Sequence, residues 1–142
     1  MEIISATKTA EQAGAYYVRI QAMARKHQIT LYAEFDEHDT PDTKYIVIVD
    51  NYLPVATCRL YAIDDERVML GRIVVLPEYR HQGLGTLVVQ EAEKWAEELG
   101  YRTLCWRAGT TRFISTKLWA MWQTTRRKLS ERLLPAIGWR KT

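Results

Sequence analysis

The stretch Arg72-Ile-Val-Val-Leu-Pro-Glu-Tyr-Arg-His-Gln-Gly-Leu-Gly-Thr86 decides the fold. The apolar run 73–76 has the β-branched character of a strand and stops at Pro77, which cannot donate to a ladder. Arg80, Gly83 and Gly85 follow, and an amphipathic helical pattern starts at once. A strand, a tight Gly-containing turn and a helix N-terminus aim several backbone N–H groups at one spot. The helix dipole adds partial positive charge there, so the spot suits a phosphate or pyrophosphate. Gly83 and Gly85 let the backbone approach an anion without a Cβ in the way.

Two familiar phosphate loops are excluded. A P-loop ends in Gly-Lys-Ser/Thr, whereas this one reads Gly85-Thr86-Leu87. A dinucleotide-binding loop needs a third glycine, where this chain has Val88.

Outward from this junction, the pattern is a sequence of short elements. Residues 2–6 read as a first strand. Thr9 with Gln12 suggests a capping box, and Ala13, Tyr17, Ile20 and Ala24 fall at helical spacing. Residues 36–44 form a polar, turn-rich loop. Residues 45–50, 55–63 and 67–76 are β-prone, with turns at Asp50-Asn51 and Asp64-Asp65, which predicts an antiparallel meander. Residues 84–99 repeat an apolar face (Leu84, Val88, Ala92, Trp95, Ala96, Leu99), and Gly100 closes the helix. Residues 101–108 read as a strand reached through a helical crossover. It is therefore predicted parallel to the strand before the loop.

The spacing Arg80-x-x-Gly83-x-Gly85 after Val75-Leu-Pro-Glu-Tyr79 resembles the acetyl-CoA loop of the GNAT (GCN5-related) N-acetyltransferases. The resemblance spans residues 1–107. It implies an α/β (α+β) fold: a mixed sheet with an antiparallel meander, splayed parallel central strands and flanking helices. It also implies acetyl-CoA as co-substrate, no metal, and a small-molecule or peptide amine as acceptor. The pantetheine arm would pair with the free backbone edge at Ile73, Val74 and Val75. The pyrophosphate would meet the segment Arg80, His81, Gln82, Gly83, Leu84, Gly85 and Thr86. Arg80 either reaches a phosphate or is a solvated loop residue. His81 reads as solvent-facing, suited to backbone contact rather than proton abstraction. The resemblance further implies direct attack of a neutral amine on the thioester, with an oxyanion held by a backbone N–H near Val75. The strand residues Met69, Leu70, Gly71 and Arg72 offer no carboxylate as general base. Glu34, Asp36 and Glu37 either attract a cationic amine or are ordinary solvent-facing acids, the second being favoured.

Composition fits one domain over residues 1–142, with 47% hydrophobic residues. Neither a membrane-span-length apolar run nor a signal-like N-terminus is present, so a cytoplasmic protein is expected. Cys58 and Cys105 lack metal-ligand spacing and are expected as buried free thiols. The net charge of +3 is uneven: residues 110–142 hold eight basic groups and one acid, so they carry +7 and the remainder −4.

That tail departs from the family. The Phe-Tyr-Glu element that supplies a tyrosine acid is absent, and the last tyrosine is Tyr101. Back-translated out of phase by one base, Phe113-Ile-Ser-Thr-Lys-Leu-Trp-Ala-Met-Trp122 allows His-Phe-Tyr-Glu-Ala-Leu-Gly-Tyr-Val. The tail thus reads as an out-of-frame GNAT C-terminus, or else as an evolved basic segment, with a helix over 113–134 expected in either case. Four further expectations follow. Catalytic residues are not identifiable, and an acetyl-CoA-binding protein with little or no turnover is the alternative function. A homodimer would be unsurprising. Nucleic-acid binding through Arg126, Arg127 and Lys128 is disfavoured, because no recognition motif accompanies them.

Overall fold

The computed structural model describes residues 1–106 and 112–113. Among the described residues, six strands form one sheet in the order β1 (Glu2–Ala6), β2 (Lys44–Asp50), β3 (Leu53–Ala62), β4 (Arg67–Val75), β5 (Thr103–Trp106) and β6 (Arg112–Phe113). Neighbours are antiparallel except β4 and β5, which are parallel. The expected meander and crossover strand are both present. Phe113 lies in β6 rather than at a helix start, because it pairs with Leu104 of β5. Residues 114–134 of the expected tail helix lie outside the described residues.

The strand β2 is apolar from Tyr45 to Val49 because both its faces are covered. Helix α1 (Thr9–Arg19) packs on one face, where Ala15 meets Tyr45, Val47 and Ala6. Helix α4 (Leu84–Glu98) covers the other, where Val88, Val89, Ala92 and Ala96 meet Ile46, Ile48, Cys58, Leu60 and Leu70. The Cys58 thiol reaches the Val88 carbonyl at 3.5 Å, and burial pushes its pKa up to about 12. Both cysteines are buried and free.

The α1 region corrects two expectations. Glu11, not Gln12, accepts from the amides of Thr7 and Lys8 at 3.2 and 3.1 Å, while Gln12 donates to the carbonyls of Pro41 and Thr43. The buried face is Gln12, Ala15, Val18, Arg19 and Ala22, with Ala13 exposed and Tyr17 37% exposed. Two polar residues inside that face hide it from a hydrophobic count. A π-helical turn at Ile20–Ala24 then shifts the phase before α2 (Arg25–His27) and α3 (Leu31–Glu34). In α4 the expected face holds apart from Leu99, which is 44% exposed beside Gly100 at φ +92°.

Candidate functional site

The residues between β4 and α4 form a compact cradle of backbone amides. After Leu76, a 3₁₀ turn at Pro77–Tyr79 leads to His81 at φ +66° and Gly83 at φ +78°. Gly83 is the N-cap residue of α4, and among the described residues no side chain accepts a hydrogen bond from the first-turn amides. The first turn carries no acidic residue either. The amides of Leu84, Gly85 and Thr86 precede the first intrahelical donor, that of Leu87 to Gly83 at 3.0 Å. A Cβ built on Gly83 meets nothing within 4 Å, so the space above the cradle is open. Hydrogen bonding to Asp50 raises the pKa of Tyr79 and ties the loop to the end of β2. His81 and Gln82 are exposed, whereas Leu84 and Gly85 are buried.

Strand β4 pairs with β5 only from Arg67 to Leu70. Among the described residues, 71–75 have no partner on that side, which leaves an open backbone edge running to the cradle. On the β3 side, Leu76 donates to Val55 at 2.8 Å, and Val74 stands opposite Thr57. In an antiparallel ladder the direction of backbone groups alternates, so the Val75 amide faces the open edge. A bulge interrupts β4 just before this segment: Arg59 pairs with Gly71 and Thr57 with Val74, so Arg72 and Ile73 together oppose Cys58. Arg72 takes up the irregularity at φ +48°. Sequence reasoning missed this bulge, because no residue type there signals it.

Below the bulge, on the α1 face, lies a charge-matched network that sequence reasoning also missed. Arg19 is fully buried and bonds Glu34 Oε1 at 3.0 Å and Asp39 Oδ1 at 2.6 Å. Arg59 bonds Asp36 at 2.9 Å and Asp39 at 3.0 Å. Arg72 reaches the Glu34 carbonyl at 3.3 Å and Asp36 Oδ2 at 3.2 Å. The Tyr45 hydroxyl donates to Asp39 at 2.7 Å. Burial opposes the ionisation of Asp39, yet hydrogen bonds from Arg19, the Asp36 amide and Tyr45 hold its carboxyl well below the usual range. Asp36 is likewise depressed: burial is outweighed by the His38 amide and by Arg59. Burial and the bond to Asp39 push the Tyr45 phenol upward. Glu34 is 3% exposed, so it is not the solvent-facing acid expected, and neither it nor Asp36 is left over to attract a cation. Glu37 does face solvent, with its side chain 81% exposed beside His38. The visible signal was three arginines set within otherwise ordered segments, matched by Glu34 at the end of α3 and by Asp36 and Asp39 in the loop after it.

A cavity of about 270 Å³, lined by Leu60, Tyr61, Val68, Ala96 and Tyr101, lies at the far end of α4 from the cradle. Among the described residues no His, Cys, Asp and Glu group has a metal-site arrangement, and no helix is long and apolar enough to cross a membrane.

Comparison with known proteins joins these features to a family. The acetyltransferase (GNAT) family model matches residues 8–122. The chain belongs to the GNAT family. It is 28% identical over 100 residues to the uncharacterized N-acetyltransferase YjcF of Bacillus subtilis (strain 168), covering 70% of each chain. A crystal structure of a putative N-acetyltransferase from Lactobacillus plantarum superposes with a TM-score of 0.69 at 30% identity, covering 74% of this chain and 73% of that one. An aminoglycoside 6'-N-acetyltransferase complexed with coenzyme A shares the fold at a TM-score of 0.59 and 16% identity, covering 75% of this chain and 61% of that one. The protein is therefore a GNAT-type, acyl-CoA-dependent N-acetyltransferase with the mixed sheet and flanking helices of that fold.

Proposed function

We propose that this single domain transfers an acetyl group from acetyl-CoA to a primary amine of a small molecule or peptide by direct attack. The observation that carries the reading is the uncapped N-terminus of α4, contiguous with the open edge of β4. The pyrophosphate accepts from the amides of Gly83, Leu84, Gly85 and Thr86, with Arg80, His81 and Gln82 along the approach. The pantetheine amides pair with the backbone of Ile73, Val74 and Val75, as an added strand pairs with a free edge. The thioester then lies beside the bulge, and the outward Val75 amide donates to its carbonyl oxygen as negative charge develops. The neutral amine attacks the carbonyl carbon, the C–S bond breaks, the amine nitrogen gives up one proton to leave a neutral amide, and the departing CoA thiolate takes up one proton to leave as the thiol. Holding the two reactants together supplies much of the rate.

The test is calorimetric titration with acetyl-CoA, with thiol release measured across an amine panel. Gly83→Asp places a carboxylate in the open space above the cradle, next to the first-turn amides. It is expected to weaken acetyl-CoA binding by tenfold or more, about 1.4 kcal/mol, while the melting temperature stays within a few degrees. Gly85→Glu, inside the first turn, is expected to abolish binding. Unchanged affinity in both variants would sink the pyrophosphate assignment. Binding without thiol release from any amine would leave a binder, not a transferase.

A further inference from the structure

We propose that Arg72 is a positioning residue: its grip on Glu34 and Asp36 holds the β4 bulge and thereby sets which backbone amides face the reacting thioester. This rests on the reading that acyl transfer occurs at the open edge of β4.

The bulge sets a parity. With the extra residue in β4, Val74 stands opposite Thr57 and Leu76 bonds Val55, which leaves Val75 facing outward. Without it, Arg72 would oppose Cys58 and every later residue would slip by one. Val75 would then turn into the β3 ladder and Val74 would face the edge, because backbone direction has a period of two. The bulge residue is an arginine at φ +48°, a conformation that side chains other than glycine's disfavour. Such a conformation persists only where its surroundings over-determine it.

The surroundings do so through the side chain. In an unbroken strand, residue 72 would share the face of Leu70, which is 1% exposed under α4. Its guanidinium lies instead in the network on the α1 side. There Nε approaches the Glu34 carbonyl at 3.3 Å and its carboxylate at 3.8 Å, and a terminal nitrogen meets Asp36 Oδ2 at 3.2 Å. Those anchors are themselves fixed. Glu34 is held by the buried Arg19, and Asp36 by Arg59 and the amide of His38. Arg19 and Arg59 against Glu34, Asp36 and Asp39 leave one negative charge, so Arg72 brings the set to neutrality and is bound to acids that other residues already hold.

The experiment compares Arg72→Ala, Arg72→Gly and Arg72→Lys in the full chain. Alanine removes the grip and keeps the backbone penalty. Its kcat is expected to fall about 10- to 100-fold, and the KM for acetyl-CoA to rise by a smaller factor, since the slipped edge also meets the pantetheine arm while the amides of the α4 first turn keep their place. Glycine removes the grip and the penalty together, and is expected to retain more of kcat than alanine. Lysine cannot make both contacts and falls between wild type and alanine. Asp36→Asn lowers kcat in the same way, and the double variant Arg72→Ala/Asp36→Asn is no worse than the poorer single variant. A KM increase at constant kcat, equal kcat values for alanine and glycine, or additive losses would each overturn the proposal.

Amide hydrogen exchange reads the parity without turnover. The wild type is expected to protect Val74 and Leu76 but not Val75, and Arg72→Ala to protect Val75 and expose Val74. An unchanged pattern in a folded alanine variant refutes the inference. A shifted pattern in a chain with no thiol release sustains it while refuting the transferase reading.

Discussion

Asp39 shows what one carboxylate does at the centre of the α1 face. It accepts from Arg19, Arg59, Tyr45 and the Asp36 amide, and its side chain is 5% exposed. Coulomb attraction alone does not make such a network strongly stabilising, because three arginines and three acids must first leave water. The consequence of breaking it is clearer. Removing one partner leaves Arg19, which is fully buried, without its best acceptor. Arg59 already has one buried nitrogen, Nε, with no hydrogen-bond partner, so it has little slack. Asp39→Asn is therefore expected to cost about 3 kcal/mol of stability, measured by urea unfolding at pH 7. A loss below about 1 kcal/mol would show that the network relaxes freely. Sequence could not reveal this residue's role. Its partners lie 20 positions away on either side, at Arg19 and Arg59, and each pairing depends on the chain folding back on itself.

At the scale of elements, the strands were legible and α1 was not, for physical reasons. The run from Tyr45 to Val49 and the hairpin turns declare a sheet through β-branched residues and positive-φ positions such as Asn51 at +47° and Tyr52 at +62°. In α4 the helical spacing is unbroken, so its buried face could be named residue by residue. In α1 the buried face includes Gln12 and Arg19, and the π turn at Ile20–Ala24 breaks the 3.6-residue phase. The junction between β4 and α4 was equally legible, since Pro77 ends a strand pattern and Gly83 and Gly85 stand just where an unbroken helical pattern begins. The bulge in β4 was not, since no residue type signals it. Its role can be tested on the backbone itself. Val75 is expected to lend its amide outward, so Val75→Pro should leave the ladder to β3 largely intact, as proline is tolerated where the N–H faces away from the partner strand. The variant is expected to bind acetyl-CoA within a few-fold of wild type and to lose kcat by about 10²-fold or more, the usual effect of removing an oxyanion donor. Loss of folding in Val75→Pro with normal folding in Val75→Ala would place that amide in the ladder instead.

The whole molecule combines two opposite responses to pH. Asp36 and Asp39 are depressed from an ordinary 3.8, so their contribution is complete above that value and is lost as pH falls toward their folded values. Glu93 behaves in the reverse sense. Burial on α4, reinforced by Glu97 one turn away, raises it from 4.5 to about 7. Below pH 4.5 it is protonated in folded and unfolded chains alike and costs nothing. As pH rises, the unfolded chain ionises first, so stability declines between 4.5 and about 7 and the penalty is complete above 7. The two layers of the sheet thus set the two limbs of one stability curve, the α1 face the acid limb and α4 the neutral-to-alkaline limb. Glu93→Gln isolates the second limb. Partial exposure screens the effect, so the variant is expected to gain of order 1 kcal/mol at pH 8 and nothing at pH 4. Denaturant unfolding across that range decides the matter: a gain of equal size at both pH values would assign the effect to helix propensity or packing, and no gain at pH 8 would mean that Glu93 ionises freely in the folded protein.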